Sequence, residues 1–230
     1  MIFTIALYIV IFFVFLAIHL YASHIKRDSL RAPTKTVLLL AILGMYLEWS
    51  NYFNIKPSVF VILALVTSWL GDVLLIPKGV KWFTAGGIAF WISHFLFIYS
   101  YYESGVVFSN INPVLIVAIA AIYFVVVTFL FTKLKKSLPK ALFYPMYLYL
   151  LTNGAMNAFA WFRLLSGSVG FVNGLVTGIG ALLFFISDST LFFVRFDKSW
   201  KDKSHFLVML TYSIGEFMII AGLIGLGIPA

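Results

Sequence analysis

The sequence predicts an all-α integral membrane protein, a bundle of eight transmembrane helices with both termini outside. Three observations carry that expectation. The first is composition. Of the 230 residues 63% are hydrophobic and only 10% charged, and the mean hydropathy is +1.05, whereas a soluble domain is about half apolar and a quarter charged. That much apolar surface cannot be hidden in one water-soluble core of this size. The second is pattern. The apolar runs are long and continuous, as a spanning helix of about 20 residues requires, rather than the ten-residue alternation of a membrane barrel. The third is charge placement, with 14 of the 16 Lys and Arg residues in alternate loops.

Taken in order, the expected spans are 2–23, 35–53, 57–76, 82–102, 112–132, 141–163, 171–194 and 205–228. The first lacks the basic leader and small-residue cleavage site of a signal peptide, so it is expected to be retained. A loop with Lys26, Arg27, Arg31 and Lys35 leads into the second span. Pro77 ends the third, and Lys78 and Lys81 precede the fourth. Lys133, Lys135, Lys136 and Lys140 follow the fifth; Arg195, Lys198, Lys201 and Lys203 follow the seventh. Only Lys56 and Arg163 fall in the even loops. By the positive-inside rule the odd loops are cytoplasmic. The net charge of +8 therefore belongs to topology and anionic lipid headgroups, not to nucleic acid. With no linker or low-complexity tract, residues 1–230 read as one transmembrane domain. Basic loops after spans one and five, and an aspartate in spans three and seven, suggest a four-plus-four repeat.

The informative residues are those whose burial in lipid is costly, on the order of 2.5–3.5 kcal/mol for an Asp at a helix centre. Asp72 lies five residues before Pro77, and Asp188 seven before Arg195, roughly 7 and 10 Å inside the inner boundary. Both spans run from outside to inside, so the two carboxylates are expected at similar depth. No cation stands one helical turn from either. His94 is interior to the fourth span. Asn153 and Asn157 share a face of the sixth helix at i, i+4, as do Tyr212 and Glu216 on the eighth. Gly71, Gly86, Gly87, Gly174, Gly178 and Gly180 are the small residues that let helices approach closely. The four histidines fall in three different membrane layers and no cysteine exists, so no metal site is expected.

These residues resemble the YhhN-like lysoplasmalogenase family of small eight-span membrane proteins. The points of contact are Gly71-Asp72, the Phe83…Gly86…Phe90…His94 run, Lys35, and above all the stretch from Gly180 through Ser187-Asp188-Ser189 to Arg195-Phe196. One departure stands out. The family's last helix ends in a Tyr-Tyr…Gln pattern, while this chain has Tyr212-Ser213-Ile214-Gly215-Glu216, a carboxylate where an amide is expected.

The resemblance implies hydrolysis of the vinyl-ether bond of a lysoplasmalogen to a fatty aldehyde and a glycerophospho-alcohol. It implies Asp72 and Asp188 as the catalytic pair, by the two-carboxylate logic of glycosidases. His94, Asn153, Asn157, Tyr212 and Glu216 would orient them, the water or the substrate, and Lys35, Lys78 and Arg195 would hold the phosphate. The expected partners are a lysophospholipid substrate and the bilayer, with no cofactor, no nucleic acid and no obligatory protein partner. In a bacterial source the location is the cytoplasmic membrane. Two rivals are a proton-coupled transporter of lipid or small molecules, which also needs buried carboxylates, and a non-catalytic scaffold.

Overall fold

The computed structural model describes residues 2–200 and 205–225, apart from the side chain of Lys198. Lys201, Lys203 and the end of the expected eighth span lie outside the described residues. Eight α-helices follow one another: α1 (Ile2–His24), α2 (Asp28–Tyr52), α3 (Val59–Leu74), α4 (Val80–Glu103), α5 (Pro113–Leu134), α6 (Phe143–Leu165), α7 (Phe171–Phe196) and α8 (His205–Ile224). Three short 3₁₀ turns complete the regular structure, and no strand occurs among the described residues.

Six of these helices are long and apolar enough to cross a membrane, which makes this a multi-pass membrane protein. Two of the eight expected spans fall outside that group. Helix α3 has 16 residues, about 24 Å of rise against a hydrocarbon core of about 30 Å. Helix α6 has 23 residues but gives positions to Thr152, Asn153, Asn157 and Arg163, and its apolar character falls accordingly.

The boundary that differs most is the start of α2. Span two was expected from Lys35, beyond Pro33, yet the helix begins at Asp28 and carries Pro33 inside it. Asp28 supplies an acidic group to the first turn and pairs with Arg31 at 3.0 Å. The missing N–H of Pro33 removes one intrahelical bond near the helix start. Thr34 Oγ1 meanwhile donates to the Leu30 carbonyl at 2.6 Å. The connection from α1 shrinks to a tight reversal: Lys26 takes a left-handed φ of 56°, and the Arg27 N–H returns to the Ala22 carbonyl at 2.9 Å, a Schellman-type end. Arg31 and Lys35 thus sit on a helix rather than in a loop.

The chain divides into two compact units, residues 1–100 and 101–230. In the first, Trp69 Nε1 of α3 donates to the Thr36 carbonyl of α2 at 3.0 Å, and His19 Nδ1 of α1 meets Thr34 Oγ1 of α2 at 2.9 Å. In the second, α7 and α8 approach through glycine. A Cβ on Gly180 would lie 2.7 Å from the Ile219 nitrogen and 2.8 Å from the Gly215 carbonyl; one on Gly222 would lie 2.6 Å from the Asn173 carbonyl. At such separations only hydrogen fits, so the two backbones pack directly.

Candidate functional site

In the first unit, Asp72 on α3 is buried and Lys35 on α2 reaches it, Nζ to Oδ1 at 3.0 Å. Sequence spacing along one helix hid this cation, because it comes from the neighbouring helix. Its ammonium was expected at the rim, holding phosphate; in the structure it is engaged with the aspartate. The Trp69–Thr36 bond, one turn from Asp72, pins α3 against the start of α2 and brings the two charges together. Gly71 and Gly86 close the other side. A Cβ on Gly71 would lie 2.6 Å from the Phe90 ring, and one on Gly86 would lie 3.1 Å from the Gly71 carbonyl. Gly87, grouped with them in sequence, meets nothing within 4 Å. His94 is fully buried on α4, one turn beyond Phe90. Lys78 is exposed and lies 3.6 Å from Asp28 Oδ2.

In the second unit, Asp188 on α7 accepts two hydrogen bonds on one oxygen. Tyr149 Oη donates to Oδ2 at 2.5 Å and Asn153 Nδ2 donates to the same atom at 2.9 Å. Behind Asn153 the bonds continue in one sense. Asn157 Nδ2 donates to the Asn153 carbonyl at 3.1 Å and to its Oδ1 at 3.3 Å. Tyr123 Oη of α5 donates to Asn157 Oδ1 at 3.3 Å, and Trp161 Nε1 donates to Tyr123 Oη at 2.9 Å. Each donor in this chain points toward Asp188, and such aligned bonds polarise one another in a low-dielectric interior. Asp188, Asn153 and Asn157 are all buried. The sequence reading found Asn153 and Asn157 but not Tyr149, Tyr123 or Trp161. The signal was present: 149, 153, 157 and 161 are four consecutive i+4 positions, one polar or amphipathic stripe along α6.

Tyr212 packs its ring on Phe184, centroids 5.5 Å apart, one turn before Asp188. Glu216 is fully buried. It follows Gly215, where a Cβ would lie 2.8 Å from the Gly180 carbonyl and 2.9 Å from the Phe184 nitrogen, two turns and one turn along α7 before Asp188. Nearer the end of that unit, Arg163 is no loop residue. It is buried on α6, where Nε donates to Ser104 Oγ at 3.0 Å, Nη1 to Thr177 Oγ1 at 3.0 Å and Nη2 to the Gly222 carbonyl at 3.3 Å. This fork ties α6, α7 and α8 together as a lysine could not. Tyr101 lies within electrostatic reach of both Glu216 and Arg163. Arg195 is exposed in the last turn of α7.

Among the described residues no group of three or more His, Asp or Glu is placed to hold a metal ion. Comparison with curated proteins and with solved structures finds no match to this chain. The YhhN family model matches residues 29–223, a stretch that contains Asp72, His94, Asp188 and both carboxylate surroundings. The chain belongs to the YhhN family.

Proposed function

We propose that this protein is a membrane-embedded hydrolase that cleaves the vinyl-ether bond of lysoplasmalogens, with Asp72 and Asp188 both required. The observation that carries the reading is the contrast between the two buried carboxylates. Asp72 faces an ammonium at 3.0 Å, whereas Asp188 accepts bonds from a phenol and an amide. Vinyl-ether hydrolysis asks for such a contrast. One acid delivers a proton to the β-carbon of the alkenyl group, leaving an oxocarbenium ion. A second, charged carboxylate favours that cation and draws a proton from the attacking water. The hemiacetal then collapses, the C–O bond to glycerol breaks, and one water has been consumed for one aldehyde and one alcohol released. Carboxyl groups in unlike surroundings divide acid and base roles in the same way in glycosidases.

The test is aldehyde release from a 1-alkenyl lysophospholipid by the purified protein in detergent, beside Asp72→Asn and Asp188→Asn. The expected result is release by wild type and at least a hundredfold loss in each folded variant. No aldehyde from wild type would overturn the proposal. The pairing of buried Asp72 with half-buried Lys35 also suits a proton-coupled transporter of lipid or small molecules. That second reading requires activity that depends on a proton gradient across vesicles, which a hydrolase in detergent does not need.

A further inference from the structure

We propose that Ser68 is a positioning residue that holds, together with Asp72, the water that attacks during hydrolysis. The inference rests on the hydrolase reading and gives Asp72 the charged role in it, because its carboxylate is the one that faces an ammonium. Ser68 stands one turn before Asp72 on α3, and both are buried. A hydroxyl inside a helix has a ready acceptor in the carbonyl three or four residues back. Other hydroxyls of this unit take it: Thr67 Oγ1 donates to the Leu63 carbonyl at 2.8 Å, Ser93 Oγ to the Phe90 carbonyl at 2.7 Å and Ser100 Oγ to the Leu96 carbonyl at 2.8 Å. Ser68 Oγ does not, and it has no hydrogen-bond partner among the described residues. Burying a hydroxyl unmet is costly, so this one is turned from its own backbone toward a group that completes it.

Asp72 is the polar group on the same helix face. Positions i and i+4 set Cβ atoms about 5–6 Å apart, and Ser68 Oγ makes no direct bond to the carboxylate. One water with two hydrogen bonds of about 2.8 Å each spans a gap of that size, and such a gap between polar groups is where a bridging water belongs. A buried water needs about two to four polar partners. The Ser68 hydroxyl and the Asp72 carboxylate supply two, and the Lys35 ammonium, 3.0 Å from that carboxylate, brings further N–H donors to the same place. The water accepts from Ser68 and donates to Asp72, which leaves a lone pair to attack. As its oxygen bonds to the carbon of the oxocarbenium ion, its proton passes to the Asp72 carboxylate. The products are the neutral hemiacetal and a protonated aspartate that returns its proton to solvent.

The experiment has two arms, both on the full chain. The first is a crystal structure grown from lipid, at a resolution that shows ordered water. The expected result is a water within hydrogen-bond distance of both Ser68 Oγ and Asp72 in wild type, missing from that position in Ser68→Ala. No water there, or the same water in Ser68→Ala, would overturn the proposal. The second arm follows 1-alkenyl lysophospholipid turnover in detergent with a fixed fraction of methanol. Methanol competes with water for the oxocarbenium ion and gives a mixed acetal in place of the aldehyde, so the product ratio reads how well water is held. Ser68→Ala should raise the ratio of acetal to aldehyde about threefold or more, as the loss of one neutral hydrogen bond implies. Ser93→Ala, which removes an equally buried hydroxyl bonded to its own helix, should leave the ratio unchanged. An unchanged ratio in Ser68→Ala, or an equal rise in both variants, would overturn the proposal. Water at Ser68 without aldehyde from wild type would sink the hydrolase reading, take the attacking role with it, and leave the Ser68–Asp72 water site standing.

Discussion

Replacing Lys35 by methionine isolates what the ion pair to Asp72 contributes. At the observed 3.0 Å, the Coulomb attraction at an effective dielectric of about 20 is on the order of 5 kcal/mol. Desolvation of both groups offsets much of that when the pair forms. The single substitution is another matter, since it removes the cation while leaving the Asp72 carboxylate, only 1% exposed, without its counter-charge. Breaking one side of a buried pair costs about 3–5 kcal/mol. Lys35→Met should therefore unfold at clearly lower denaturing detergent, read by circular dichroism in mixed micelles. The double variant Lys35→Met/Asp72→Asn, with no charge left to bury, should recover to within about 1 kcal/mol of wild type, so that the cycle returns a coupling of at least 2 kcal/mol. It should not recover aldehyde release. A loss below about 0.5 kcal/mol in the single variant, or additivity in the double, would refute the reasoning that burial makes this pair mutually dependent.

Four further outcomes are expected. Gly180→Ala should destabilise by about 1–3 kcal/mol in the same unfolding assay, because the new Cβ meets two backbone atoms at 2.7 and 2.8 Å that no side-chain rotation can clear. Gly87→Ala, with nothing within 4 Å, should be neutral or stabilising by up to about 1 kcal/mol. Tyr149→Phe keeps the ring against Phe192 and removes one donor to Asp188; kcat for aldehyde release should fall at least tenfold with KM changed less than threefold. Asp197, just past α7, accepts from the Ser199 backbone N–H at 2.9 Å and its hydroxyl at 2.8 Å, which hold its carboxyl below the usual carboxylate range. A depressed folded-state value means the bond's contribution is present above the ordinary carboxylate value and lost as pH falls through the folded one. Carboxyl NMR should find the Asp197 titration moved upward, toward the ordinary value, in Ser199→Ala.

Much of this protein was legible along the chain, because the bilayer demands a one-dimensional signal. A spanning helix must be about 20 apolar residues long, so seven of the eight helices lie within a few residues of their expected bounds, and the first polar group to break each run is visible. The α6 stripe was half legible for the same reason: Asn153 and Asn157 are conspicuous in an apolar helix, whereas Tyr149 and Trp161, equally part of it, look like ordinary aromatic residues at a membrane interface. Helix α2 was misplaced at its start because Arg31 and Lys35 were read as cations of a loop, whereas the helix begins at Asp28, with an acidic first turn and Pro33 inside it.

What only the tertiary structure decided is partnership. Lys35 and Asp72 are 37 positions apart, and nothing in their local spacing joins them; a tryptophan bond between α2 and α3 does. Asp188 and its two donors come from different helices, and the level of Glu216 on α8 is set where Gly215 docks against the Gly180 carbonyl and the Phe184 nitrogen of α7. Hydropathy determines which segments enter the membrane, since lipid reads each helix one at a time. Which carboxylate meets a cation and which meets a phenol depends on the rotation and level at which helices pack, and those are set by small-residue contacts between segments.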